Sequence, residues 1–328
     1  MQYENNSTPE NMQATPPTRR GRVGFAVFGS DAKAAVDIIV EAEAAGVQQV
    51  WMTQSTPAPD TLGIFAAAAM RTTSIRMGTA IVPTYPRHPL ALAQQALTLG
   101  DLAPQRLRLG VGPSHRPVIE GAYGLTMSSP LAHLREYVEI LRAALWEGHI
   151  SHHGQFFHVE SAFPRAPHTP ILISALREGA FHLAGEISDG AISWMCPVPY
   201  LLTKARPALQ AGAEQHGRPT PPLIAHIPVA LSQDRQAVLA AARQQVGRYS
   251  RLPFYARMFA DAGFPIPADG TMPDHLIDNL VIFGDTDTIS ARLHELLASG
   301  LDELLVMLIS IADSTRERSQ LIHLISQL

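Results

Sequence analysis

IRMGTAIVPTYPRHPLALAQQALTLGDLAPQRLRLGVGPS, residues 75–114, is the stretch on which the reading of this chain turns. Two short apolar runs, 75–82 and 106–111, flank a helical pattern over 89–99, with turn residues at every junction. That is a strand, a helix and a strand. Both strand candidates are apolar runs broken by Gly rather than strict alternations, which suits parallel strands covered on both faces. The connection is therefore a crossover. Each strand is followed by residues unusual for a mere linker: Pro83, Thr84, Tyr85, Pro86, Arg87 and His88 after the first, Gly112, Pro113, Ser114, His115 and Arg116 after the second. Parallel α/β folds place their sites at the carboxyl ends of strands, so both loops are expected to face one pocket.

Working outward, the same pattern repeats. Strands are expected over 23–28, 47–52, 169–175, 190–195, 223–231 and 303–309 in addition to the two above, which makes eight. Helical patterns lie between them, among them 31–45 with Asp31 as N-cap and Gly46 as C-cap, an Ala-rich run over 61–71, and 130–146 stopped by Gly148. The segment 149–163, HISHHGQFFHVESAF, reads as a hairpin turning at His153 and Gly154, inserted before the repeat resumes. Eight strand–helix repeats are what a (β/α)8 TIM barrel requires, here with an inserted hairpin and loop insertions. An open doubly wound sheet is the runner-up. It lacks its dinucleotide fingerprint, because no third Gly follows Gly110 and Gly112 at the right spacing.

Composition narrows the function classes. The 328 residues, 46% hydrophobic, suffice for a large core. A net charge of −4 with no Lys/Arg run gives no footprint for nucleic acid. The single Cys196 excludes an internal disulfide, and residues 1–20, polar and Pro-containing, lack the apolar core of a secretory signal. A cytoplasmic location is expected. No apolar stretch approaches the roughly 20 residues that span a bilayer, so no membrane partner is expected. Residues 1–20 read as a disordered tail and 21–328 as the barrel domain.

Three phrases carry a family resemblance: GTAIVPTYPRHPLALAQQALTL (78–99), RLRLGVGPSHRPVIEGAYGL (106–125) and ILISALREGAFHLAGEISDGAISW (171–194). They resemble the bacterial luciferase-like family of flavin- and deazaflavin-dependent oxidoreductases, most closely the branch related to methylene-tetrahydromethanopterin reductase, which uses coenzyme F420. The likeness runs through most of the chain from Val23 onward. It implies a (β/α)8 barrel assembled as a homodimer or higher homo-oligomer, with F420, or alternatively FMN, as coenzyme. It also implies a bulge with a non-prolyl cis peptide at Ala80 and Ile81, whose backbone supports one face of the coenzyme ring; a side chain as small as that of Ala80 permits that approach. Trp194, closing the third phrase, joins the cofactor-binding candidates. The phosphate is expected on the turn Ala175, Leu176, Arg177, Glu178, Gly179 and Ala180, because a helix N-terminus offers free N–H groups and the positive end of a dipole. The family usually has Gly-Pro where this chain has Arg177 and Glu178.

Ser114 and His115, beyond the fourth strand, are cofactor-binding candidates, and His115 is also a catalytic one, since its ordinary pKa lies near working pH. Arg87 and His88 read as residues holding their own loop, and Glu120 as a solvated loop carboxylate. Relatives that oxidise alcohols carry an Asp-His pair after the second strand; this chain has Thr53 and Gln54, neither able to accept a proton at neutral pH. Gln54 remains a catalytic-site candidate, and reduction of a C=C or C=N bond in a small organic substrate is the expected reaction. An FMN-dependent monooxygenase and a coenzyme-binding barrel without turnover are the rivals. His149, His152, His153 and His158 lack a matched ligand spacing, so no metal is expected. The absence of a G-x-S-x-G elbow argues against a hydrolase. Residues 249–259 and the loop 113–126 are expected to cover the site.

Overall fold

A computed structural model describes residues 21–328; the expected tail, 1–20, lies outside the described residues. Eight parallel strands close into a (β/α)8 barrel: β1 Val23–Ala26, β2 Gln49–Met52, β3 Arg76–Thr79, β4 Leu107–Gly112, β5 Ile171–Ser174, β6 Ala191–Ile192, β7 Leu223–Ala230 and β8 Glu303–Leu308. Each pairs with the next in sequence, and β8 returns to β1 with Val23 opposite Leu304. Helices cover the outside, so the strands are buried on both faces, as their unbroken apolar runs imply.

The barrel interior is built in layers. Trp51 lies in the middle, 1% exposed, with Gly24 and Gly78 beside it on the adjacent strands. A Cβ at Gly78 would stand 2.3 Å from the indole, so the missing side chain is what admits the ring. Gly110 approaches β3 just as closely: its Cβ would meet the Thr79 carbonyl oxygen at 2.0 Å. The Gly-x-Gly of β4 thus serves barrel packing rather than nucleotide binding.

Towards the amino-terminal ends of the strands lie Gln49, Arg108 and Glu303, all buried. Arg108 donates to Glu303 through both terminal nitrogens, at 2.5 and 3.0 Å, and to Gln49 at 2.9 Å, while Gln49 donates to Glu303 at 3.2 Å. The guanidinium also lies 4.9 Å from the centre of the Trp51 ring. The floor of the barrel is a closed set of mutually satisfied charges.

The third apolar run departs from its reading as one strand over 75–82. β3 stops at Thr79, the Ala80–Ile81 peptide is cis, and only the two-residue segment Val82–Pro83 returns to pair with β4. The interruption is stitched to the end of β2 instead. Ala80 N–H donates to the Met52 carbonyl at 2.7 Å, Gln54 N–H to the Ile81 carbonyl at 3.2 Å, and the Thr53 hydroxyl to the Ala80 carbonyl at 2.9 Å.

Around the barrel, Asp31, Asp60, Asp234, Asp285 and Asp313 each cap a helix through a side-chain oxygen. The helix Pro130–Arg142 continues as a wider π turn, Ala143–Glu147, and stops at Gly148 with φ 74°. The hairpin follows as His149–His153 and His158–Ala162. Its turn is held by Glu136, whose carboxylate accepts the N–H groups of Gln155, Phe156 and Phe157. The helices Arg116–Gly121 and Asp274–Leu280 and the short strand Ile282–Phe283 were not expected; such short elements carry too little periodicity to register in a window of roughly 11–18 residues. Among the described residues no helix is long and apolar enough to cross a membrane.

Candidate active site

A cavity of about 810 Å³ opens at the carboxyl ends of the strands. Its size falls in the range of sites that enclose a cofactor or a drug-sized molecule. Gln54, Ala80, Ile81, Ser114, His115, Ala175, Leu176, Arg177, Glu178, Gly179, Ala180 and Trp194 all line it, so the barrel gathers positions far apart in sequence around one cavity.

The two strand-end loops that first suggested a pocket behave differently. After β4, Pro113, Ser114 and His115 line the cavity. Ser114 has φ 60°, a left-handed conformation that non-glycine residues adopt mainly where surroundings demand it. Of the loop 83–88 only Pro83 does so; Tyr85, Arg87 and His88 turn outward. Tyr85 stacks on His133 with ring centres 4.0 Å apart, Arg87 pairs with Asp60 at 2.5 Å, and His88 Nδ1 accepts the Leu90 N–H at 3.2 Å as a helix cap. The expectation that both loops face the pocket holds for the second loop and only for the first residue of the other. The reason is that the hairpin and the helix Pro130–Arg142 supply an aromatic seat, with Phe156, Phe157 and Tyr137 around His133, which draws the first loop away.

At the end of β2 both polar side chains have structural partners. Thr53 donates to the Ala80 carbonyl, and Gln54 Oε1 accepts the Thr61 N–H at 2.7 Å at the start of the helix Thr61–Ala69. Gln54 therefore reaches the cavity as an anchor of its own loop, with only its amide N–H groups left to offer.

His115 is half-buried, and its ring meets Tyr255 and Tyr249 edge-on at 5.6 and 6.1 Å between centres. Burial, together with the nearby Arg248 cation, pushes its pKa below 6.5, so it is neutral at neutral pH. Behind the opposite wall, Trp194 stacks on the buried His226 at 3.7 Å between ring centres. His226 Nδ1 accepts the Met195 N–H at 3.3 Å, which puts the ring proton on Nε2. That Nε2 and Trp194 Nε1 are both buried without a hydrogen-bond partner among the described residues. Burial pushes the His226 pKa down to about 3.

The residues fit an anionic coenzyme at the helix Glu178–Ile187. Arg177 occupies its N-cap position without a side-chain capping bond, and only the Ala180 and Phe181 N–H groups return to the Arg177 carbonyl. An uncapped first turn in a cavity wall is the usual seat of a phosphate. Two features temper it: Glu178 stands in that same turn, and the Arg177 guanidinium is paired with Asp261 at 3.1 Å. Ala80, with its small side chain, and Ile81 line the cavity on the side of β3.

The chain matches the model of the luciferase-like monooxygenases over residues 9–303. It belongs to that family. Among its relatives, an F420-dependent glucose-6-phosphate dehydrogenase of Tsukamurella paurometabola is 33% identical over 225 residues, 62% of this chain and 66% of the relative, so the chain spans just under two thirds of that protein. A 5,10-methylenetetrahydromethanopterin reductase of Methanolobus tindarius is 26% identical over 284 residues, 80% of this chain and 86% of the relative. Of solved structures, an F420-dependent secondary alcohol dehydrogenase in complex with an F420-acetone adduct superposes with a TM-score of 0.76 at 18% identity, covering 94% of this chain and 98% of the other, a likeness of fold. The first two of these relatives are thus named as a dehydrogenase and a reductase.

Sequence reasoning missed part of the site. Arg248, Thr56, Met127 and Asp261 also line the cavity. The signal for Arg248 was present in GRYSRLPFYARMF, 247–259, where a cation precedes the aromatic run expected to cover the site. Cys196 is no part of the chemistry: it is buried, and burial pushes its thiol up to about 12. The hairpin histidines serve their own carboxylates, His152 beside Glu136 at 3.3 Å and His153 beside Glu160 at 2.7 Å.

Proposed function

We propose that this luciferase-like barrel is an F420-dependent reductase that passes a hydride to a C=C or C=N bond of a small organic substrate. The coenzyme, when bound, supplies the hydride chemistry. The protein's part is to position and to keep water out. Ala80 and Ile81 would lie against the ring, the uncapped first turn at Glu178 and Gly179 would hold the phosphate, and Ser114, His115 and Trp194 would frame the reacting face.

The observation that carries the reaction class is the absence of a proton acceptor where an alcohol would be oxidised. Thr53 and Gln54 are engaged with Ala80 and Thr61, and neither titrates. Burial and the Arg248 cation lower the proton affinity of His115, which makes it a hydrogen-bonding group and a weak base. Removing a hydroxyl proton in step with hydride loss therefore has no strong acceptor at the end of β2 or at His115, and the pocket's carboxylates, Glu178 and Asp261, stand at the phosphate seat, whereas delivering hydride to an unsaturated bond needs only orientation and a proton from solvent.

Binding of F420 and, separately, of FMN to the coenzyme-free protein, followed by fluorescence quenching, tests the coenzyme. Oxidation of reduced F420 with a panel of enones and imines then tests the reaction, with oxidised F420 and secondary alcohols as the contrast. Tight F420 binding and turnover with unsaturated acceptors is the expected result. FMN binding with oxygen uptake would assign the protein to the monooxygenases of its family, and alcohol oxidation at comparable rates would overturn the reduction reading.

A further inference from the structure

The cavity has two charged ends, and one helix separates them. The helix Pro253–Asp261 ends at Asp261, which pairs with Arg177 beside the first turn at Glu178. Arg248 and Tyr249 lie in the turn Gly247–Arg251 just before the helix begins, and Tyr249 and Tyr255 meet His115. Nine residues of helix span about 13 Å. Arg248 precedes this helix and Arg177 meets its last residue, so the two cations are associated with its opposite ends.

The two arginines also differ in what they already hold. Arg177 is neutralised by Asp261, whereas Arg248 has no carboxylate within ion-pair distance among the described residues. Arg248 is exposed at the cavity rim, yet it is not free to swing without loss. Its guanidinium lies over the Tyr249 ring at 5.1 Å and makes one long contact, 3.5 Å, to the Tyr249 hydroxyl. It is close enough to His115 to disfavour an imidazolium there. The same cavity is lined by apolar Val118, Met127, Leu131 and Phe254, the last two 42% and 43% exposed. An oriented, unneutralised guanidinium at one end of an apolar cavity is a receptor for a carboxylate or phosphate group on an apolar body.

We infer that Arg248, with His115 and Tyr249 beside it, is a specificity-determining subsite for an organic acid, so that the substrate of this pocket is an apolar molecule carrying an oxyanion. The inference rests on the reading of the cavity as a coenzyme-and-substrate site. The oxyanion docks on Arg248, which fixes the orientation of the apolar part across the cavity. Neutral His115 contributes a hydrogen bond and no competing charge.

Phenylacetate and its neutral analogue phenylacetamide, titrated calorimetrically into the full-length protein and into Arg248→Gln and Arg248→Lys, test the subsite. The expected result is about ten-fold tighter binding of the acid than of the amide by the unaltered protein, as a charge-assisted hydrogen bond provides. In Arg248→Gln that preference disappears while the amide binds as before; in Arg248→Lys it is partly kept. No preference for the acid, no binding of it, or a preference that survives Arg248→Gln would overturn the assignment. F420 titrated into the same proteins separates the other source of negative charge: its affinity is expected to be unchanged in Arg248→Gln, and a parallel ten-fold loss would give the cation to the coenzyme instead. Should neither F420 nor FMN bind while the acid preference persists and depends on Arg248, the subsite stands and the coenzyme reading falls.

Discussion

The two ends of this barrel handle polar groups in opposite ways. At the amino-terminal floor, Arg108, Glu303 and Gln49 are removed from water and satisfy one another, with Trp51 packed above them. At the carboxyl-terminal mouth the helix Glu178–Ile187 starts without a side-chain cap, and among the described residues Trp194 and His226 keep unpartnered N–H groups and Arg248 has no carboxylate partner. The floor is finished without a ligand. The mouth is not. A stable scaffold and a site with spare hydrogen-bonding capacity are thus produced by the same eight strands, at opposite ends, as barrels generally divide stability from function.

The largest expected effect lies at the floor. Glu303→Leu leaves the Arg108 guanidinium buried without its carboxylate and is expected to lower stability by about 3–5 kcal/mol in urea unfolding. The double change Arg108→Leu with Glu303→Leu should recover much of that loss, because the penalty comes from the stranded charge. A single mutant that unfolds within about 1 kcal/mol of the unaltered protein would break the picture of a dry floor.

Next comes acidification, which should act on the buried imidazoles. Burial holds His226 near a pKa of about 3 and His133 near about 4, both below the ordinary 6.5 of an unfolded chain. Above pH 6.5 both states are neutral and the full stability is present. As the pH falls below that, the unfolded chain takes up protons that the folded chain refuses, so stability declines. His133→Phe, which keeps a ring against Tyr85, is expected to spare about 2 kcal/mol of that decline near a pH of roughly 4.5. Unfolding midpoints measured across this pH range check it; parallel curves for the two proteins would show that His133 is not the group responsible.

Gln54→Leu tests whether the wall after β2 is structural. Loss of the Oε1 acceptor for the Thr61 N–H is expected to lower stability by about 1–2 kcal/mol. Turnover per folded molecule should change little; a collapse in turnover with stability intact would return Gln54 to the catalytic set. The smallest effect has opposite signs for folding and binding. Glu178→Gln removes a carboxylate that favours the helix dipole, lowering stability by about 0.3–1 kcal/mol, and it removes the charge that would repel a phosphate there, so coenzyme affinity should rise. Weaker coenzyme binding in this variant would place the phosphate elsewhere.

Much of this architecture can be read from the chain because its signals are local. The apolar runs, the Asp caps and the glycines at helix ends all act within a few residues, and Asp31, Gly46 and Gly148 behave as their chemistry dictates. The phrase 78–99 pointed to the break at Ala80 and Ile81 through family likeness, and the cis peptide lies there. Where the reading failed, partners distant in sequence decided the outcome. Tyr85, Arg87 and His88 look like pocket residues until the aromatic seat around His133 and the carboxylate of Asp60 claim them.

The charges of the site show the same division. Arg177 and Arg248 are equivalent in sequence, each an arginine beside an apolar segment. Asp261 neutralises the first, 84 residues further along, and nothing described neutralises the second. The sequence by itself determined the repeat, the helix ends, the eight strands and the family, because backbone propensity, periodicity and capping are properties of neighbours. Only the tertiary structure decided which side chains are already engaged and which still face the cavity, because hydrogen bonds and ion pairs form between groups that meet only when the barrel closes.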